Sequence, residues 1–171
     1  VMFVAALYGV SVFAGYLNGF YPEPPVPTIT PWGGLAPQRE YYLWLAILNP
    51  FFNLLIIVVY AAFVQLAARA LGGQGAFEDT FALLSFVTVV QIPLMWIPET
   101  ILFVSGSREI LWFVFGNPLV DSMRQTVTFV WILCVSVVAV KNAHRLSPLS
   151  SAAAALVGFA PMTFVALTYI R

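Results

Sequence analysis

Ionisable and amide side chains are scarce in this chain, so each one inside an apolar run is a candidate for chemistry. Glu99 is the acid set deepest in such a run, directly after Pro98 and downstream of Pro93. Proline has no N–H and leaves a carbonyl of the preceding turn free. An acid beside a broken helix can bind a cation or pass a proton. The competing reading leaves Glu99 about one turn from the interface, wet or paired with Arg108. Gln91, Gln65, Asn49 and Asn53 form a second polar set. Asn49-Pro50 has the composition of a helix cap. Asn53 and Gln91 suit hydrogen bonds between membrane helices, each worth ~0.6 kcal/mol, and this helix-joining role is preferred over a substrate site.

Other familiar chemistries are not expected. The only histidine, His144, falls in the polar stretch Lys141–Pro148, read as a loop. No imidazole therefore sits within a span to ligate haem or chlorophyll. One Cys (Cys134) and one His cannot supply the four ligands of a structural zinc site. No Ser-His-acid set can form around a histidine flanked by Lys141 and Arg145. Gly72-Gly73-Gln74-Gly75 lacks the lysine and the preceding strand of a phosphate loop. It reads as a glycine C-cap, followed by Glu78-Asp79 with favourable dipole sign at the next helix start. No catalytic residue, cofactor or metal is expected, and the chain is read as not an enzyme.

The elements that hold these residues follow from composition. Of 171 residues, 61% are hydrophobic and only 8% charged. A water-facing domain carries roughly 25% charged residues, so lipid is the expected solvent. Seven basic and seven acidic residues balance, which leaves no basic surface for nucleic acid. Crossing ~30 Å of hydrocarbon takes about 20 helical residues. Five stretches qualify, at about 1–20, 42–71, 81–104, 119–140 and 150–170. They predict an all-α, single-domain bundle of about five transmembrane helices. In the fourth, Thr126 to Val140 is the uncharged core, with Asp121 and Arg124 reaching toward the interface.

Residues 21–39 contain six prolines and two glycines, which excludes a helix and predicts an extended loop. Ile110–Phe115 is too short to cross and suits an interfacial segment between the third and fourth helices. The chain opens at Val1 inside an apolar run without the basic region of a secretory signal, so this run is read as a retained helix with native residues upstream. Lys141, His144 and Arg145 form the tightest basic cluster, which places them and Gly72, Gly73 and Gly75 in cytoplasmic loops. Gly15 and Gly19 in the first span, and Ala154 and Gly158 in the fifth, have the small-xxx-small spacing that lets helices approach closely. Pro161 is expected to break or kink the fifth span.

Two stretches carry a family resemblance. Leu71-Gly72-Gly73-Gln74-Gly75-Ala76-Phe77-Glu78-Asp79-Thr80-Phe81 resembles the glycine-rich loop and following aromatic of the Yip (Ypt-interacting protein) family, with Pro93 in the middle of the next helix. Trp131 through Val140, then Lys141-Asn142-Ala143-His144-Arg145-Leu146-Ser147, is similar to that family's fourth helix and its basic, His-containing loop. The resemblance runs from Asn49 onward, over about 120 residues, and is to the prokaryotic type. It implies five spans and a cytoplasmic amino end. Eukaryotic members are linked to vesicle transport and small GTPases. The six-proline stretch departs from the family pattern, and a GTPase partnership is not expected here.

Together these readings predict a non-catalytic multi-pass protein of the bacterial cytoplasmic (inner) membrane. It acts as a scaffold or accessory subunit through helix packing. Its partners are the lipid bilayer and other membrane-protein subunits, with no small-molecule substrate. The alternative is a small transporter or channel organised around Glu99, Gln91 and the proline-broken third helix.

Overall fold

A computed structural model describes residues 2–17, 19, 41–107, 109, 113, 114 and 117–169. The proline-rich stretch 21–39, most of Ile110–Phe115, and the side chains of Glu99 and Arg108 lie outside the described residues. Those that are described form six α-helices: α1 (Met2–Leu17), α2 (Tyr41–Ala70), α3 (Phe77–Val87), α4 (Ile97–Ser105), α5 (Pro118–His144) and α6 (Pro148–Tyr169). Between α3 and α4 the winding changes but does not stop, through a 3₁₀ turn at Thr88–Val90 and a π turn at Ile92–Trp96. Four helical stretches are long and apolar enough to cross a bilayer, at Tyr42–Ala70, Phe77–Leu94, Pro118–His144 and Pro148–Val165, with a shorter apolar helix at Ala5–Leu17. The architecture is an all-α membrane bundle.

The change of winding has a covalent cause. An α-helix would ask Pro93 to donate to Val89 O and Pro98 to donate to Leu94 O, and neither has an N–H. The chain widens instead, and Ile97 N–H bonds Ile92 O, five residues back. Such π turns are rare and concentrate at functional positions. Pro161, by contrast, does not break α6, which continues through it to Tyr169. Membrane helices tolerate internal proline because neighbouring groups re-satisfy the freed backbone. Pro50 inside α2 behaves the same way.

Helix ends carry recognisable caps. Gly72 takes φ 89°, and Gly72 N–H and Gly73 N–H return to the carbonyls of Arg69 and Ala68. This is the paired closure of a Schellman motif, and it needs the left-handed residue that glycine supplies. Asn117 accepts from the amides of Leu119 and Val120, and Pro118 occupies the first turn of α5. Arg145, at φ 55°, ends α5. Ser147 Oγ then accepts from Ser150 N–H to open α6.

α2 lies at the centre and packs on α1, α3 and α6, while α5 packs on α3 and α6. The core joins Tyr60, Ala61, Val64 and Ala68 of α2 to Leu84 and Val87 of α3, Ile132, Ala139 and Val140 of α5, and Ala154 and Phe159 of α6. A smaller cluster joins Val12 of α1 to Tyr42 of α2, where Tyr16 stacks on Tyr42 at 4.7 Å. Large apolar side chains such as Phe3, Phe86, Val104, Leu119 and Leu149 point outward. In water this would be a severe liability, and against hydrocarbon it is the expected surface.

The helix seams differ in part from the sequence expectation. At Gly158 a Cβ would stand 2.5 Å from Val64 Cγ2 and 2.8 Å from the Tyr60 ring, so α6 rests directly on α2 there. Ala154, one turn earlier, is fully buried. In α1 the pair Gly15 and Gly19 does not share one helical face. Gly15 is buried in α1, but Gly19 lies beyond its end, exposed, with φ 74° and its amide bonded to Tyr16 O. A close seam runs through Ala5 and Gly9, where a Cβ on Gly9 would stand 2.8 Å from Ala46 Cα and 2.9 Å from Ala46 O.

Candidate functional site

The side-chain hydrogen bonds that join different elements gather at two places. The first is the α1–α2 seam. Asn49 is not a cap: it lies within α2, is 2% exposed, and donates through Nδ2 to Ala5 O at 2.7 Å. Asn53 donates to Asn49 O and Asn49 Oδ1, so it braces its own helix where a bond between helices was expected. The carbonyl that Pro50 leaves without an α-helical donor belongs to Ala46, the residue against which Gly9 rests. Asn49 and Gly9 thus fasten α1 to the turn of α2 that lacks the proline N–H.

The second place is the end of the bundle where α2 leaves, α3 begins and α5 stops. The expectation that His144 stands in a loop is corrected here. α5 extends through Lys141 and Asn142 to His144, and the His144 side chain is 1% exposed. The reason lies in the spacing. Thr128, Ile132, Ser136, Val140 and His144 recur every four residues and all are buried, so the inward stripe of the helix carries one polar-looking turn past the apolar run. Lys141 and Arg145, on other faces, are exposed.

Around His144 the hydrogen bonds close into a ring. Gly75 N–H donates to His144 Nδ1 at 3.2 Å. In a neutral imidazole the proton then resides on Nε2, which faces Thr80 Oγ1 at 2.8 Å. The Thr80 hydroxyl donates to Gln65 Oε1 at 2.6 Å. Gln65 Nε2 donates back to Gly75 O at 3.0 Å. Each group in the ring donates once and accepts once, and both the N–H and the C=O of Gly75 are used. Gln74 N–H adds a bond to His144 O at 3.4 Å. Gly73 and Gly75 leave room for this arrangement. A Cβ on Gly73 would lie 2.7 Å from His144 Nδ1, and one on Gly75 would collide with the Ala143 carbonyl. Gly72 serves the turn itself.

His144 lies past Val140, beyond the apolar part of α5. Burial lowers its pKa, the positive charge of Arg69 lowers it further, and Asp79 acts in the opposite sense. The ring of bonds agrees, because an imidazolium would turn a second N–H toward the Gly75 amide. Chemically this cluster is not a hydrolytic set. The imidazole nitrogen beside the Thr80 hydroxyl already carries the proton, so it cannot take one from that oxygen. Both ring nitrogens are occupied, which also closes the imidazole to a metal. Among the described residues no group of three or more His, Cys, Asp or Glu side chains converges.

The remaining expected positions are scattered. Gln91 is half-buried at the junction of the 3₁₀ and π turns. Glu99 falls within α4, with its side chain outside the described residues. Asp121 and Arg124 pair with each other at 2.7 Å. Cys134 is exposed on an outer face of α5. Sequence reasoning missed Thr80, and it missed the partnership of Gln65, Gly75 and His144. The four-residue spacing that runs into His144 was the available signal.

No curated protein and no solved structure matches the chain. A family model does, and it describes the Yip1 domain over residues 1–170, so the match takes in the first helix and the proline-rich stretch as well as the two motifs that meet at Gly75 and His144. The chain belongs to the Yip family of multi-pass membrane proteins.

Proposed function

We propose that this protein is a non-catalytic scaffold or accessory subunit that organises a larger membrane assembly through helix packing. One observation carries the reading: five polar side chains drawn into the helix seams bond within the chain, and the outward faces of the spans are mostly apolar. Asn49, Asn53, Gln65, Thr80 and His144 are each hydrogen-bonded within the chain. Backbone-close seams at Gly9 and Gly158 make α1, α2 and α6 a stiff unit. Outward faces bearing Phe51, Leu66, Phe86, Val130 and Phe164 then meet lipid or the spans of other subunits. The setting proposed is the bacterial cytoplasmic membrane, in a member of the prokaryotic type. Gly72–Gly75 and Lys141–Arg145 face the cytoplasm, following their basic content. Purification of the native protein in mild detergent should recover it with a larger membrane partner. A monodisperse monomer with no co-purifying subunit would overturn the reading.

One observation favours a second reading, a small transporter or channel. The π turn at Ile92–Trp96 lies just before Glu99 in the same continuous helical rod, and π turns concentrate at functional positions. On this reading Glu99→Gln abolishes cation or proton flux in proteoliposomes while leaving thermal unfolding unchanged. Equal flux in both proteins, or none in the native one, removes it.

A further inference from the structure

The hydrogen-bond ring does more than tie four segments together, because one of its four members is titratable. Gly75 N–H needs a lone pair on His144 Nδ1, and only the neutral imidazole has one. Protonation sets two N–H groups against each other at that contact, and no other acceptor for a His144 Nδ1 proton is seen among the described residues. The ring joins α2 through Gln65, the turn through Gly75, α3 through Thr80 and α5 through His144. Losing the Gly75–His144 bond therefore loosens the whole end of the bundle. The charged groups that share this end are Arg69 of α2, Glu78 and Asp79 of α3, Lys141 of α5 and Arg145 just after it. All five are exposed. Arg69 opposes a proton on the ring and Asp79 favours one.

We propose that this ring is a proton-operated latch. It holds the Gly72–Ala76 turn against the end of α5 while His144 is neutral, and it releases the turn when His144 is protonated. The turn and the C-terminal end of α5 separate in the released state, exposing the Gly73 and Gly75 backbone and the Thr80 hydroxyl at the membrane surface. A device of this kind lets a multi-pass protein present one surface at neutral pH and another in acid.

His144 is the chain's only histidine, which makes the test direct. The full chain, carrying a purification tag without histidine, is placed in lipid nanodiscs and followed from pH 8 to pH 5 by two measurements. Imidazole ¹⁵N spectra report the tautomer and protonation of His144. Hydrogen exchange of the 73–76 amides, corrected for the intrinsic pH dependence of exchange, reports opening of the turn. The expected result is the Nε2–H tautomer at pH 8 and an opening constant that rises by up to about tenfold per pH unit below about 6.5. The imidazole titration and the opening share one midpoint. His144→Asn keeps a carbonyl acceptor near the Nδ1 position but does not titrate, so its exchange stays flat with pH. Exchange in the native chain that does not change with pH overturns the latch. So does a histidine that titrates at a different midpoint from the opening, a result that holds even if the variant fails to fold.

Discussion

The contact between α2 and α6 makes the sharpest test of the packing. Gly158 presents its backbone to Tyr60 and Val64, both buried, and a methyl group there would stand 2.5 Å from Val64 Cγ2 and 2.8 Å from two Tyr60 ring carbons. Neither neighbour can move aside cheaply. Val64 is β-branched with a stiff χ1, and the Tyr60 ring is held against Phe159 at 5.1 Å. Reaching ordinary van der Waals distance means moving α6 away from α2 by about 1 Å, along the seam that also buries Ala154. Overpacking of this kind costs ~1–3 kcal/mol. Alanine returns ~1 kcal/mol through its better helix propensity; with neighbours this close and this stiff the cost falls at the upper end, so Gly158→Ala should lose about 2 kcal/mol. For a chain of this size that lowers the thermal midpoint by about 4–8 °C, readable by unfolding in detergent. Ala160→Leu, on an exposed position of the same helix, is the control and should stay within about 0.5 kcal/mol. If Gly158→Ala equals or exceeds the native stability, helix propensity alone decides and the close seam does not exist.

Asn49→Leu removes the bond to Ala5 O and one of the two acceptors of Asn53. It should cost about 0.6–1.7 kcal/mol in the same assay, with α1 losing hydrogen-exchange protection before the other helices. Thr80→Val keeps the side-chain shape but strips Nε2–H of its acceptor and Gln65 of its donor. Leaving buried polar atoms unmatched costs about 1–3 kcal/mol, so this variant should be the less stable of the two at pH 8, and equal stabilities would argue against the ring. The pH dependence of stability has a definite sign. His144 holds a depressed pKa in the folded protein, so the unfolded chain takes up the proton first. The contribution is fully present above about pH 6.5 and is lost as the pH falls through the depressed value. Unfolding midpoints that do not change between pH 7.5 and pH 5, or that rise, contradict it.

Much of the bundle follows from hydropathy, because lipid demands long apolar helices with satisfied backbones and leaves few alternatives. What hydropathy misses is where one helix touches another. Gly15 and Gly19 share a face only if the helix runs through both, and Gly19 takes a positive φ beyond its end. Ala5 and Gly9 have the same spacing and do meet α2, yet nothing within α1 distinguishes the two pairs. Asn49-Pro50 has the look of a helix start because in water proline belongs in the first turn. In this bundle α2 spans Tyr41–Ala70 and continues through Pro50, and the turn that lacks the proline N–H lies where Gly9 and Asn49 attach α1.

His144 differs from the loop expected of it for another reason. Lys141-Asn142-Ala143-His144-Arg145 is polar enough to suggest a loop, and there polarity and periodicity point to different structures. Yet Ile132, Ser136, Val140 and His144 keep one spacing and one buried face, and a helix that leaves the hydrocarbon has no reason to stop turning at its surface. Its outward residues can become charged while the inward ones still need a partner. That partner is the glycine-rich turn, 69 residues earlier in the chain. The two stretches that resemble the Yip family are therefore not independent signatures. Gly73 and Gly75 are small because His144 must approach their backbone, and His144 is enclosed because those glycines admit it. It follows that neither half keeps its meaning alone. Enlarging Gly75 and truncating His144 should each open the same end of the bundle, and combining them should cost little more than the worse of the two, since both remove the one bond at Nδ1.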